Sequence, residues 1–204
     1  MGADPGGNGR ELSALKQLIE EQEARDPALT SHSELVSLYA ARTAAELGLP
    51  LERIERVMLA GTVHDLGKVT LPDSILFKPG SLDEHEWTIV RRHPEAGAWI
   101  LSDAGFREVA VWVMLHHERM DGGGYPFGLA GSEIPLEARI LAVADAYEAM
   151  TADRVYRASL GHDVACAELR RCTGTQFDPG VVEAFLAGAP GELTLVSAAR
   201  AGER

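Results

Sequence analysis

Apolar positions recur along this chain at helical spacing almost from end to end. Between Glu11 and Arg25, Leu12, Leu15, Leu18 and Ile19 form one stripe with charges elsewhere, the pattern of a helix laid on a core. The stripe also suits the end of a helix continuing from a preceding domain; packing on the core is the favoured reading. Ser31 with Glu34 makes a capping-box pattern, which predicts a helix running to about Leu47 with His32 in its first turn. Ile54, Val57, Met58, Ala60 and Val63 predict the next helix, from about Leu51, with Gly67 as its stop and His64-Asp65 in its last turn. Pro72, Pro79 and Gly80 make 71–80 a loop, a short helix follows over 83–91, and Pro94 opens another with His93 at the junction. Ala110–Leu115 leads into a long loop, Met120–Ser132. Pro135–Met150 is almost continuously apolar, a central buried helix presenting the carboxylate of Asp145. Val164–Arg171 and Val181–Leu186 are the last helical stretches. With no β alternation and no internal repeat, the expected class is all-α. The expected organisation is a flexible N-terminus and leading helix over 1–25, one domain over 26–188 and a tail over 189–204.

Composition narrows what such a domain can do. At 204 residues and 21.9 kDa, 46% hydrophobic and 25% charged, the chain suits one ordinary globular domain. No apolar run approaches the roughly 20 residues that span a bilayer. Met1 to Gly7 has neither the basic start nor the apolar stretch of a signal peptide. The expectation is therefore a cytoplasmic protein with no membrane partner. Cys166 and Cys172 are too few for a disulfide scaffold, and one helix can hold both. A net charge of −12 argues against a nucleic-acid polymer as partner, since such binding rests on basic side chains neutralising phosphates. A small anionic nucleotide remains open, because bound cations can overrule the global field.

The chemistry is concentrated in histidine and carboxylate. Five of the seven histidines are His32, His64, His93, His116 and His117, with Asp65 beside one of them and Asp145 downstream. An isolated histidine is usually a satisfied core residue; two adjacent pairs, His64-Asp65 and His116-His117, point instead to ligation. Imidazole with carboxylate suits iron, manganese or zinc rather than calcium or magnesium. Asp65 is the natural bridge between two ions, being next to a ligand and having two oxygens. Taken alone, Asp145 reads equally as a ligand or as an ion-pair partner of Arg139 or Arg154. Lys68, three residues past the pair, suits a phosphate oxygen or leaving group, or else a helix-end charge. Gly122, Gly123 and Gly124 free the backbone for a sharp turn or close approach to a ligand. In that loop Asp121, Gly124 and Tyr125 are candidate substrate contacts, Tyr125 by stacking on a purine or bonding to phosphate. Arg154 and Arg157 suit phosphate forks or pairing with Asp153 or Glu148. His85 and His162 read as surface residues.

The segments 63–68 (VHDLGK) and 116–126 (HHERMDGGGYP) resemble the HD-GYP branch of the HD-domain phosphohydrolases. The resemblance extends through 78–80 (KPG), 93–97 (HPEAG), 134–140 (IPLEARI), 143–145 (VAD), 153–157 (DRVYR) and 173–179 (TGTQFDP), about 26 to 186 in all. Departures are Ala28-Leu29 after Asp26-Pro27, Leu35 where arginine is common, and Met120 where tryptophan is frequent.

The resemblance implies an all-α HD-domain helical bundle with an HD-GYP loop and a C-terminal helical extension. It implies a cyclic di-GMP phosphodiesterase that opens one ring phosphodiester to linear pGpG through a metal-bridging hydroxide, with further hydrolysis to GMP as the alternative end point. It assigns His32, His64, Asp65 and Asp145 to one ion and His93, His116 and His117 to a second, with Asp65 touching both and Lys68 assisting. Two divalent ions, iron or manganese, are expected. Some members bind a third through a glutamate four residues before the first histidine, and Ala28 there offers no oxygen. Diguanylate cyclase domains docking on the Gly124-Tyr125-Pro126 loop, and a homodimer, are the implied protein partners. The rival readings are hydrolysis of another cyclic dinucleotide, and a non-catalytic receptor or adaptor.

Overall fold

The computed structural model describes residues 7–153 and 159–188. Arg154 and Arg157 lie outside the described residues, as does the expected tail over 189–204. Among the described residues the elements are α1 (Gly7–Arg25), α2 (Pro27–Glu46), α3 (Leu51–Val63), α4 (Asp73–Leu76), α5 (Glu84–Val90), α6 (His93–Asp103), α7 (Arg107–Leu115), α8 (Leu136–Thr151), α9 (His162–Arg171) and α10 (Pro179–Ala187). Short 3₁₀ turns cover Leu66–Thr70 and Gly131–Glu133. No strand occurs among these residues.

The expected central helix is α8. Its Ile140, Leu141, Val143, Ala144 and Tyr147 have no solvent exposure. Each large apolar side chain so buried contributes about 1.5–3 kcal/mol before entropy is subtracted. Tyr147 meets Tyr39 of α2 edge-on at 5.1 Å and Phe185 of α10 at 4.9 Å, tying the C-terminal helix to the bundle. α2 packs against α3 and α8, and α6 pairs with α7. α1 lies on the bundle, with Leu15 buried and the Arg25 guanidinium on the carbonyls of Val69 (3.0 Å) and Leu71 (2.8 Å).

Four local readings change, the first being that the expected loop over 71–80 contains the one-turn helix α4, opened after Pro72. α2 begins at Pro27, because Asp26 caps it by accepting from the Leu29 N–H while Pro27 supplies the pre-set first turn. His32 therefore sits in the second turn, and the Ser31-Glu34 pattern is helix interior. α3 ends at Val63, and Gly67 lies in the 3₁₀ turn with no left-handed backbone. Its small size serves a close approach: a β-carbon there would stand 1.9 Å from the His93 carbonyl oxygen. Cys172 falls just past the end of α9, which holds Cys166.

Candidate metal centre

Helix ends build this centre. The last carbonyls of a helix lack intrahelical partners, and three histidines use them. The Nδ1 of His64 meets the Gly61 carbonyl at 2.8 Å, that of His93 the Val90 carbonyl at 2.8 Å, and that of His116 the Val113 carbonyl at 2.6 Å. A carbonyl only accepts, so each Nδ1 carries the proton and each Nε2 turns its lone pair inward. His93 Nε2 and His116 Nε2 are buried without any hydrogen-bond partner. Two orphaned lone pairs aimed into one space are costly unless a cation takes them.

His32, from α2, and Asp145, from α8, close the other side. His32 Nε2 lies 3.3 Å from both His64 Nε2 and Asp145 Oδ1. Asp65 stands between the two sides: Oδ1 is 3.1 Å from His93 Nε2, and Oδ2 is 3.4 Å from His64 Nε2 and 2.6 Å from Lys68 Nζ. Donor atoms fall into two tight groups, Asp65 with His93, His116 and His117, and Asp65 with His32 and His64. Asp65 is the member common to both. These borderline nitrogens, with the buried carboxylate of Asp65 and the half-buried one of Asp145, fit divalent transition metals.

Electrostatics agree with that donor set at His116, His117 and the two aspartates, whereas His32, raised to about 10, must give up a proton before it can ligate. Burial, helped by neighbouring imidazoles, drives His116 well down and His117 to about 4, leaving both neutral and able to ligate. Burial pushes Asp65 up, but Lys68, His64 and His93 outweigh it and hold its carboxyl well below the usual range. Burial likewise opposes ionised Asp145, and His32 and His64 overcome it. Burial lowers His32, yet Asp145 and Glu148 raise it to about 10. Arg139 is taken by Asp178 (2.8 Å) and the Ile134 carbonyl (2.7 Å), which removes it as the ion-pair partner of Asp145.

A cleft of about 230 Å³ opens beside the centre, lined by Arg91, His117, Gly124, Tyr125, Asp145 and Gln176 among others. Tyr125 is stacked on His117 (centroids 4.8 Å, 27°) and has the Arg91 guanidinium over its ring at 5.6 Å. Burial and the Asp65 and Asp145 charges raise its hydroxyl, so it stays protonated. Asp121 accepts from Arg119 (3.0 and 2.6 Å) and from the Gly123 N–H (3.0 Å), so its carboxylate shapes the loop. A β-carbon on Gly124 would come within 2.6 Å of the His117 carbonyl oxygen, which fixes the loop against a ligand residue.

Two carboxylates escaped the sequence reading. Glu148 is buried and bonded to His32 Nδ1, the one partner of that kind in the centre that is not a backbone carbonyl. Its position three residues past Asp145 on an otherwise apolar helix was the available signal. Buried Glu118 accepts the backbone N–H groups of Phe127 (2.7 Å), Gly128 (3.1 Å) and Leu129 (3.0 Å), and no local pattern foretells it. His85 and His162 are exposed, as expected, and His162 meets the Tyr147 hydroxyl at 2.8 Å.

A family model described as the HD domain matches residues 15–181. The chain is 42% identical over 182 residues to the cyclic di-GMP phosphodiesterase response regulator RpfG of Xanthomonas campestris, covering 88% of this chain and 48% of that protein. It is 41% identical over 181 residues to a cyclic di-GMP phosphodiesterase of Pseudomonas aeruginosa, covering 87% and 43%. A solved structure of a cyclic GMP-AMP-specific phosphodiesterase of Vibrio cholerae is 30% identical with a TM-score of 0.55, covering 92% of this chain and 42% of that one. The chain thus spans about half the length, or less, of these relatives. Model match, helical architecture and ligand geometry agree: this chain belongs to the HD domain family, in the HD-GYP branch that its motifs resemble.

Proposed function

We propose that this chain hydrolyses cyclic di-GMP, opening one ring phosphodiester to linear pGpG, with GMP as the alternative end product. The observation that carries the proposal is Asp65, shared by two buried donor groups around orphaned imidazole nitrogens. His32, His64, Asp65 and Asp145 would hold one ion and His93, His116 and His117, again with Asp65, the second. Two divalent ions held there, iron or manganese, would supply a nucleophile from water at neutral pH and would neutralise phosphate charge. Asp65 keeps both groups in register, and the helix-end carbonyls hold three imidazoles in the ligating tautomer. Lys68, at 2.6 Å from Asp65 Oδ2, is placed to meet a non-bridging phosphate oxygen or the leaving group as negative charge grows. Arg154 and Arg157 are proposed phosphate contacts on the strength of the resemblance. Asp121 serves by holding Gly124 and Tyr125 in place.

The names of two relatives at about 40% identity support the substrate. The Vibrio cholerae structure favours a second reading, a mixed cyclic dinucleotide. One experiment tests both: protein loaded anaerobically with iron or manganese, incubated with each cyclic dinucleotide, and the products chromatographed. pGpG or GMP from cyclic di-GMP, with two ions per chain by elemental analysis, is the expected result. Three protein-bound ions would refute the ion count, and cleavage of the mixed dinucleotide alone would refute the substrate.

The same proposal extends to partners and compartment. The loop leaves Phe127 61% exposed next to Tyr125-Pro126, a surface for a diguanylate cyclase domain, and Phe127→Ala should abolish such capture. A homodimer is checked by sedimentation. Among the described residues no helix is long and apolar enough to cross a membrane, which is compatible with the cytoplasm.

A further inference from the structure

A cyclic dinucleotide carries two phosphodiesters, and a metal centre can work on only one at a time. The other needs its own cation in a chain of net charge −12. Among the described residues, which leave out Arg154 and Arg157, the cations near the cleft are mostly paired. Lys68 is paired with Asp65 at 2.6 Å, Arg119 with Asp121 at 2.6 Å, and Arg139 with Asp178 at 2.8 Å. Arg91 is different. Its guanidinium has no hydrogen bond or ion pair among the described residues, yet it lines the cleft with His117 and Asp145.

Its backbone is also fixed, while the side chain itself is exposed. Arg91 caps the C-terminal end of α5, two residues before His93, so its backbone is locked to a ligand residue. The guanidinium lies over Tyr125, which is itself stacked on His117. Stacking on an aromatic face orients the planar fork while leaving its N–H edge free, the geometry that binds phosphate through two parallel bonds. The ring of Tyr125 thus acts as a platform for the arginine.

From this arrangement we infer that Arg91 binds the non-scissile phosphate of the cyclic dinucleotide and selects substrates with two phosphodiesters over those with one. The inference rests on the proposed substrate class and adds a residue to it. An uncompensated full charge favours an anion over the neutral edge of a base, which would be satisfied by a neutral donor.

The test uses the full chain loaded with manganese, as wild type, Arg91→Ala and Arg91→Lys, with KM and kcat measured on cyclic di-GMP, cyclic di-AMP and bis(p-nitrophenyl) phosphate. Metal content and circular dichroism establish that the variants are folded and loaded. Losing one charge-assisted fork should raise KM for cyclic di-GMP roughly 10- to 100-fold in Arg91→Ala. That rise should exceed the rise on the single-phosphate diester at least about fivefold, with Arg91→Lys intermediate because it keeps the charge and loses the fork. An unchanged KM, or equal rises on one- and two-phosphate substrates, overturns the inference. So does a loss confined to guanine-containing substrate, which would make Arg91 a base reader. Wild type that cleaves the simple diester but neither binds nor cleaves a cyclic dinucleotide overturns the substrate reading and this inference together. Wild-type cleavage matched by Arg91→Ala overturns this inference alone.

Discussion

Gly67→Ala should separate the two sides of the centre without unfolding the protein. A methyl on Gly67 would stand 1.9 Å from the His93 carbonyl oxygen and 2.6 Å from the Gly97 nitrogen. Both are backbone atoms of α6, so neither can swing aside as a flexible side chain would. Ordinary carbon–oxygen contact needs roughly 3.4 Å, so the 3₁₀ turn and α6 must part by about 1.5 Å. Alanine can adopt the backbone conformation of Gly67, which is not left-handed, so the effect is steric alone. Asp65 lies two residues upstream in the same turn, where its carbonyl accepts the Lys68 N–H at 2.9 Å, and it moves with the turn. Metal–ligand distances tolerate about 0.2 Å. A movement several times larger removes Asp65 from His93, now 3.1 Å away, and with it the shared carboxylate.

The strain of such overpacking is about 1–3 kcal/mol, against a typical stability of about 5–15 kcal/mol. The variant should therefore keep its helical circular dichroism, lose metal from the His93, His116 and His117 side, and hydrolyse phosphodiester at least about 10²-fold more slowly. Anaerobic loading, elemental analysis and a turnover assay on the same preparation read all three. A folded variant with wild-type metal content and rate would refute the steric argument and the register role of Asp65.

Four further outcomes are expected. Asp65→Ala should lose both metal and hydrolysis, whereas His162→Ala should change neither; full occupancy in the Asp65 variant, by elemental analysis, contradicts the shared ligand. Lys68→Ala should keep its metal and lose about 10²-fold in turnover, and an unaltered rate would return Lys68 to a helix-end charge. Glu148→Ala should weaken metal binding about 10- to 100-fold, with Glu148→Gln largely restoring it because the amide oxygen still accepts from His32 Nδ1; titration with manganese checks this. Asp178 caps α10 through the Gly180 and Val181 N–H groups and pairs with Arg139; burial pushes its carboxyl up, and those partners outweigh it and hold it below the usual value. The unfolded chain then binds the proton first, so this stabilisation is complete at neutral pH and disappears as pH falls below about 4. Asp178→Asn should cost about 1 kcal/mol at pH 7 and progressively less towards pH 3 in chemical denaturation.

Much of this centre could be read from the chain because its parts are local. His64 and His116 follow their helices directly, and the carbonyls that fix them are three residues back, so a histidine at a helix end already implies its tautomer. Asp83 and Glu86 make a capping box at the start of α5, and the run from Pro135 marks α8, both within reach of sequence periodicity. The start of α2 differs from the expected one because two capping signals compete within six residues, and Asp26-Pro27 prevails by fixing both cap and first turn. Gly67 looks like a helix stop in the sequence because a glycine needed for close approach and one needed for left-handed backbone are the same letter there. Glu148 reaches His32 across 116 residues, and only the packing of α2 on α8 brings them together.

The loop shows how such distant contacts bear on chemistry. Glu118 follows the ligand pair directly, and its carboxylate gathers the N–H groups of Phe127, Gly128 and Leu129. The Tyr125 N–H returns to the His117 carbonyl at 3.2 Å, and Gly124 packs against the same carbonyl. A buried carboxylate holding three backbone donors is expensive to release, so the loop cannot shift as a free lid. Exposed Phe127 is thus joined through the Glu118 carboxylate and the loop to the backbone of His117, and Tyr125 stacks on the His117 ring with Arg91 over its own. If a partner docks on that face, these contacts predict that it alters both a metal ligand and the proposed phosphate grip, and that Phe127→Ala removes the partner's effect on turnover while leaving basal turnover unchanged.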